Sequence, residues 1–213
     1  MHVQEFVAEL RRERAVAILR TDRAEAGAPA LEAAVRGGFR CLEVTLGTVD
    51  ALSLIEAFAH REDLILGAGT VLTVPQARDC VAAGARFLVS PVVDVDVIAV
   101  AAELGVAVIP GAHTPGEMLA AHRAGAPLVK LFPAPTDLPG YVRQVLGPLP
   151  FLKIVPTAGV DADNARQVLE AGAWAVGCVS CLFPPDVLQA GGFDIVETRA
   201  RALITAARSA DLS

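Results

Sequence analysis

Apolar residues in this chain occur in short runs at regular intervals, and a segment with helical periodicity follows each run. Eight of these runs fit β-strands, at about 15–20, 41–46, 64–69, 87–91, 107–111, 128–132, 152–156 and 174–179. Helical patterns begin near residues 24, 49, 74, 94, 115, 139, 161 and 194, with Pro75, Pro115 and Pro139 marking starts and Asp161 as an N-cap. Strict alternation of strand and helix predicts a parallel sheet covered on both faces.

A weak internal repeat of helix, glycine and strand supports this reading. In each copy the glycine is expected to end the helix in a left-handed conformation. Units of about 20 residues, repeated eight times, favour an α/β fold of the (β/α)8 TIM-barrel type, with a single domain over residues 1–213 and an extra N-terminal helix over residues 2–14. An open doubly wound sheet is the alternative. The repeated segments are 36–45, 83–90, 104–110, 124–130 and 171–176.

Composition limits the possible partners. The 213 residues carry a net charge of −6, which argues against nucleic acid or an anionic membrane surface as a partner. Mean hydropathy is high, at +0.50, yet no apolar stretch reaches the roughly 18 residues that a membrane span needs. The first residues do not resemble a secretory signal, so a cytoplasmic protein is expected.

One lysine stands out against this background. The chain has only two lysines among its 18 basic residues, and Lys130 interrupts the apolar run from Ala126 to Ala134. A buried lysine has a depressed pKa, and its neutral amine can attack a ketone to form a Schiff base. The structural alternative is a lysine that extends from a strand end into solvent.

The carboxyl ends of the strands, where barrel enzymes place their chemistry, carry the other polar candidates. Glu43 lies inside an apolar strand, and beside an amine nucleophile such a carboxylate can move protons. Its alternative is an outward-facing carboxylate. Strand-end segments include Arg20, Gly67-Ala-Gly-Thr70, Ser90-Pro91, Pro110-Gly-Ala-His113, Pro156-Thr-Ala-Gly159 and Gly177-Cys-Val-Ser180.

Other motifs carry less weight. The glycines of Gly67-Ala-Gly69 lack the third glycine of a dinucleotide-binding fingerprint, and His113 has no partner at metal-ligand spacing. Cys178 and Cys181 form a C-x-x-C, but residues three apart on a strand face opposite sides. All four cysteines are therefore expected to be reduced and mostly buried.

Taken in order, six segments resemble the 2-keto-3-deoxy-6-phosphogluconate (KDPG) / 4-hydroxy-2-oxoglutarate (KHG) aldolases. They span nearly the whole chain, at the spacing of that family. The segments are Gly38-Phe-Arg-Cys-Leu-Glu-Val-Thr-Leu46, Leu66-Gly-Ala-Gly-Thr-Val-Leu72, Ser90-Pro91, Ile109-Pro-Gly111, Val129-Lys-Leu-Phe-Pro-Ala134 and Val155-Pro-Thr-Ala-Gly-Val160.

This resemblance implies a class I aldolase without a cofactor or metal, and typically a homotrimer. Lys130 would form the Schiff base with a keto acid and Glu43 would be the acid/base. Other positions would bind substrate: Thr70 and Gly69 would hold the carboxylate, Pro91 and Phe132 would line the pocket, and Thr157, Gly159 and Ser180 would meet the distal end.

Three departures from the family pattern bear on the substrate. Gly47 stands where many members have an arginine, and Arg20 is expected to replace that arginine in binding the carboxylate. Ala158 and Val179 stand where glycines let backbone N–H groups approach a phosphate.

Three functions remain open on these residues. The first is cleavage of KDPG to pyruvate and glyceraldehyde 3-phosphate, or of a non-phosphorylated acid such as 4-hydroxy-2-oxoglutarate. The second is isomerisation of a sugar phosphate, with Glu43 as the base. The third is a non-catalytic barrel that binds a small acid.

Overall fold

The computed structural model describes residues 2–212. Over this range the eight predicted strands are confirmed, with ends within two residues of those expected. They are β1 (Ala15–Leu19), β2 (Cys41–Thr45), β3 (Ile65–Gly69), β4 (Phe87–Ser90), β5 (Ala107–Ala112), β6 (Val129–Leu131), β7 (Ile154–Pro156) and β8 (Val176–Cys178).

The helices alternate with the strands. In the described range they are α1 (Val3–Glu13), α2 (Ala24–Arg36), α3 (Ala51–Ala59), α4 (Val74–Ala82), α5 (Val95–Glu103), α6 (Pro115–Arg123), α7 (Leu138–Leu146), α8 (Ala165–Glu170), α9 (Pro185–Gln189) and α10 (Phe193–Arg208).

Strand order shows a barrel rather than an open sheet. The strands pair in parallel in the order β7-β6-β5-β4-β3-β2-β1-β8, and a bridge from Thr157 to Gly177 joins the two ends. The predicted (β/α)8 fold is confirmed, and the doubly wound alternative is wrong. The five repeat glycines have positive φ, from +70° to +110°, as the helix–glycine–strand pattern predicted.

One predicted helix start is wrong, and one short helix was not predicted. Asp161 does not cap a helix, because its carboxylate accepts hydrogen bonds from the N–H groups of Asp163 and Asn164 and forms a turn. Helix α8 therefore begins four residues later, at Ala165. The short helix α9, which begins at the Pro184-Pro185 pair, was not predicted and precedes the last helix.

Apolar side chains close the lower end of the barrel. Phe6 from α1 stacks on Phe87 with ring centroids 4.7 Å apart, and both side chains are buried. A Cβ on Gly67 would overlap the Phe87 ring, so this glycine makes room for it. Burying each such ring contributes roughly 1.5–3 kcal/mol. This apolar packing fills the lower half of the barrel, so a substrate can enter only from the end where the strands finish.

Candidate active site

The strand register brings Glu43 and Lys130 to one cavity inside the barrel. Glu43 pairs with Ile18 on one side and Gly67 on the other, while Lys130 pairs with Gly111 and Val155. The cavity holds about 10 Å³, close to the space of a single water molecule. Its lining is otherwise mostly apolar: Val16, Ile18, Phe87, Val89, Ile109, Val155, Thr157 and Gly177.

Lys130 is less buried than its sequence surroundings predicted. Its neighbours Val129 and Leu131 are fully buried on the outer face of the strand, whereas the lysine is half-buried. The side chain lies on the inner face, where the barrel opens to solvent. Its Nζ lies 5.2 Å from the ring centroid of Phe132. The amine is therefore placed between the interior cavity and the mouth, where a keto acid can reach it.

Glu43 is the most deeply buried carboxyl group that the sequence singled out. Glu43 is only 2% exposed, and its Oε1 atom has no hydrogen-bond partner among residues 2–212. A Cβ on Gly69 would lie 2.7 Å from the carboxyl carbon of Glu43 and closer still to Oε1. Gly69 therefore leaves the space that the Glu43 carboxyl group occupies, a role that the sequence did not predict.

Burial dominates the titration of Glu43. Desolvation raises its pKa above the ordinary value, and the positive charge of Lys130 opposes that rise. The two side chains form no ion pair within 4 Å in the part of the chain that the structure describes. A carboxyl group that keeps its proton to higher pH, beside an amine, is suited to proton transfer.

Thr70 and Pro91 lie at the neighbouring strand ends. Thr70 has φ of +61°, a left-handed conformation that a β-branched residue rarely adopts. Such strain is concentrated at functional sites. A Cβ on Gly111 would overlap the carbonyl group of Pro91, so this glycine lets the Pro91 backbone pack against β5, the strand that pairs with the strand of Lys130. The motif containing Gly111 was noted in the sequence, but this role was not.

Arg20 and Gly47 form a second, separate part of the mouth. A Cβ on Gly47 would lie 3.3 Å from Nε of Arg20, so the guanidinium group rests against the space that the missing side chain leaves. This groove, of about 320 Å³, does not include Lys130. Thr48 donates a hydrogen bond of 3.2 Å to the carbonyl oxygen of Leu19 and links the two strand ends that carry Arg20 and Gly47.

The predicted distal residues divide between two places. Thr157 is buried and lines the interior cavity with Lys130. Gly159 and Ser180 line an open groove of about 320 Å³ together with Ala158 and Val179. Ala158 and Gly159 both have left-handed backbone, with φ of +66° and +69°. The alanine thus adopts the conformation for which glycine is favoured.

Val179 points toward the barrel interior. It is half-buried and packs against the inner apolar cluster that contains Val16, Ile18 and Val155. Val179 therefore both lines the distal groove, the open groove of Gly159 and Ser180, and packs against the barrel interior.

His113 makes contacts near Lys130 that the sequence did not predict. Its Nδ1 lies 2.8 Å from the carbonyl oxygen of Pro133, in the segment directly after Lys130 and Phe132. The Tyr141 hydroxyl group donates a hydrogen bond to the His113 carbonyl oxygen. These contacts hold the loop beside the lysine. Only the position of His113 at a strand end signalled such a role.

The interpretation of the C-x-x-C was wrong in one respect. Strand β8 ends at Cys178, and a turn follows in which the Leu182 N–H donates to the Val179 carbonyl oxygen. The turn brings Cys181 back toward Cys178, and the interaction between the two thiols raises the pKa of Cys178. All four cysteines are free, and only Cys181 is partly exposed.

Over residues 2–212 no cluster of three or more His, Cys, Asp or Glu side chains is arranged to hold a metal ion. Within the same range, no helix combines the length and apolar character needed to cross a membrane.

Comparison with known proteins agrees with this fold and with the family resemblance of the sequence. The family model described as KDPG and KHG aldolase matches residues 6–199. A 2-dehydro-3-deoxy-phosphogluconate aldolase from Treponema pallidum is 37% identical over 192 residues, covering 88% of this chain and 90% of the relative. The KHG/KDPG aldolase of Escherichia coli K12 is 34% identical over 199 residues, covering 91% and 92%.

A solved structure gives the same result. The KDPG aldolase of Legionella pneumophila, with pyruvate captured as a covalent carbinolamine intermediate, superposes with a TM-score of 0.83 at 27% identity, covering 92% of this chain and 97% of that one. Fold, motif order and overall similarity therefore agree, and the chain belongs to the KDPG and KHG aldolase family.

Proposed function

We propose that this protein is a class I aldolase that cleaves 2-keto-3-deoxy-6-phosphogluconate to pyruvate and glyceraldehyde 3-phosphate. The observation that carries the proposal is the lysine amine and the buried carboxyl group on one cavity inside the barrel. A base for isomerisation needs no nucleophilic amine at that place. The names of the relatives support the aldolase reaction.

Lys130 is the nucleophile in this proposal. Its neutral amine adds to the C2 carbonyl carbon and forms a carbinolamine, which loses water to give an iminium ion. The iminium withdraws the electron pair of the C3–C4 bond, so that bond breaks and the aldehyde leaves. The resulting enamine takes a proton at C3, and water then releases pyruvate and the free lysine. Capture of a pyruvate carbinolamine in the Legionella pneumophila enzyme supports the first step.

Glu43 moves the protons of these steps. Its raised pKa allows it to carry a proton to the departing hydroxyl group and to accept one from the C4 hydroxyl group as C3–C4 breaks. Oε1 has no other hydrogen-bond partner in the described chain, so it is available to a water molecule or to the substrate. A metal ion or organic cofactor has no part in this sequence of steps.

The keto-acid carboxylate binds at the ends of strands β1 and β3. Thr70 supplies a hydroxyl group beside Gly69, and Arg20 supplies a guanidinium group that can form two charge-assisted hydrogen bonds. Pro91 and Phe132 line the apolar side of the same site. The position of Arg20 in the space left by Gly47 supports its role as a replacement for the family's usual arginine.

The phosphate group of the substrate binds in the distal groove, near Gly159 and Ser180. The left-handed backbone at Ala158 supports this choice, because the alanine there retains the local geometry that a glycine would have. The inward Val179 side chain favours the second candidate, 4-hydroxy-2-oxoglutarate, which carries no phosphate. Thr157 lies beside the lysine and meets the middle of either substrate.

A homotrimer in the cytoplasm completes the proposal. Exposed apolar side chains are concentrated on the segments that follow strands β2, β3 and β4, as expected of a surface covered by another subunit. Light scattering on the purified protein should give three times the 22.1 kDa of one chain. A mass of one chain would contradict the trimer. The side chains are Val49, Leu52, Leu72, Val92 and Val95.

Pyruvate release tests the proposed reaction. The wild-type protein should release pyruvate from both candidate acids, with higher kcat/KM for the phosphorylated one. Lys130→Ala and Lys130→Arg should abolish release, since a guanidinium group stays protonated and cannot attack. Lys153→Ala is the matched control, because Lys153 lies beside Trp174 at the other end of the barrel. Wild-type protein without any pyruvate release, or an active Lys130→Ala, would overturn the proposal.

A further inference from the structure

The two thiols at the end of strand β8 are close together and differ in environment. Cys178 is fully buried, while Cys181 is partly exposed and lines the distal groove. The turn over residues 179–182 folds the second cysteine back onto the first, and Arg199 donates a 3.1 Å hydrogen bond to the Cys181 carbonyl oxygen. One thiol of the pair is therefore partly open to solvent, and the other is buried.

Local groups favour a thiolate on Cys181. The hydrogen bond from the Cys178 thiol lowers the pKa of Cys181, and the backbone N–H groups of Val179 and Leu182 lower it as well. Burial of Cys181 has the opposite effect and raises its pKa. The same hydrogen bond, together with burial, raises the pKa of Cys178 well above its ordinary value. A partly exposed thiolate with a neighbouring thiol is the arrangement found in redox-active cysteine pairs.

We propose that Cys178 and Cys181 are a redox-sensitive pair that hydrogen peroxide converts to a disulfide. The Cys181 thiolate attacks a peroxide oxygen, so an S–O bond forms, the O–O bond breaks and hydroxide leaves, taking up a proton as water. The Cys178 sulfur then attacks the Cys181 sulfur, so the S–S bond forms and the S–O bond breaks. The Cys178 proton leaves with the hydroxyl group as water. Two thiols are oxidised and one peroxide is reduced.

Peptide mapping of the full chain tests this modification directly. The chain is exposed to hydrogen peroxide, unfolded, alkylated and digested with trypsin. Residues 41–61, 79–86 and 167–199 form three separate peptides, carrying Cys41, Cys80 and the Cys178–Cys181 pair. We expect the last peptide to lose two hydrogen atoms and resist alkylation until dithiothreitol is added. The buried thiols of Cys41 and Cys80 should be alkylated in full and serve as internal controls.

Two results would overturn the proposal. One is full alkylation of all four thiols after peroxide treatment, and the other is a sulfinic acid on Cys181 beside a free Cys178 thiol. The Cys178→Ser variant adds a second test, because it removes the resolving thiol. A sulfenic acid on Cys181 should then accumulate and react with dimedone, whereas an unreactive Cys181 in this variant would contradict the mechanism.

The consequence for activity rests on the proposed function. Val179 and Ser180 lie between the two cysteines in the sequence and line the distal groove, so a disulfide constrains the turn that forms one side of this groove. Oxidation should raise KM for the phosphorylated acid by roughly tenfold, as expected for one lost charge-assisted hydrogen bond. Trapping of pyruvate on Lys130 should not change. An inactive reduced enzyme would contradict the proposed function alone, whereas intact thiols after peroxide would contradict the redox pair alone.

Discussion

Gly69→Ala tests whether the position of the Glu43 carboxyl group determines the rate. The added Cβ would lie 2.7 Å from the carboxyl carbon of Glu43, whereas carbon atoms in contact are about 3.5–4.0 Å apart. The carboxyl group must therefore move by about 1 Å. A misplacement of about 1 Å can cost roughly a hundredfold in rate. Complete loss of general acid/base catalysis costs roughly 10²–10⁴-fold, so kcat should fall by an amount within this range.

The assay separates misplacement from misfolding. Pyruvate release gives kcat and KM, and circular dichroism with thermal unfolding gives the fold and its stability. Overpacking the barrel interior should also destabilise the variant by roughly 1–3 kcal/mol. The matched control is Gly116→Ala, because an added Cβ at Gly116 meets nothing within 4 Å. That control should keep full activity. A folded Gly69→Ala variant with wild-type kcat would refute the assigned role of Glu43.

Three further substitutions test the remaining parts of the site. Glu43→Gln should slow pyruvate release by roughly 10²–10⁴-fold, and full activity would remove Glu43 from the mechanism. Burial raises the folded-state pKa of Glu43, so the wild type loses stability as pH rises from about 4.5 through that pKa. Denaturant unfolding should therefore show the free energy of unfolding of Glu43→Gln increasing relative to that of the wild type over this pH window. Below the window, the difference between the two proteins should not change with pH. Arg20→Ala should weaken pyruvate exchange as much as it weakens cleavage of a full-length substrate; a loss confined to phosphorylated substrates would make Arg20 a phosphate ligand. Val179→Gly should increase kcat/KM for the phosphorylated acid if the inward side chain restricts its binding, and the ratio of kcat/KM values for the two acids measures this. A ratio that does not change would show that Val179 does not select the substrate.

The sequence predicted the barrel because its signals are local. Each unit has a glycine after a helix and a short apolar strand, so eight strands could be counted from the chain alone. The proposed catalytic pair could also be found from the sequence, because a lysine and a glutamate inside apolar strands conflict with ordinary burial preferences. Their convergence follows from the parallel register, which brings the inner positions of β2 and β6 to one end of the barrel.

Features that depend on tertiary contacts were not predicted. The spacing of Cys178 and Cys181 suggested opposite faces, but the strand ends at the first cysteine and a turn reverses the chain. The link between Gly69 and Glu43 joins residues on neighbouring strands, so no local pattern shows it. The half-burial of Lys130 likewise depends on the barrel opening, which the apolar sequence around the lysine conceals.

Borohydride trapping with pyruvate tests the central claim most directly. Reduction of a Schiff base on Lys130 adds one pyruvate-derived mass and blocks tryptic cleavage at this residue, so the label should appear on a peptide spanning residues 124–143. The Lys130→Ala variant should take up no label. Label on the peptide spanning residues 144–166, which contains Lys153, or no label on the wild-type protein, would contradict the assignment of Lys130 as the nucleophile.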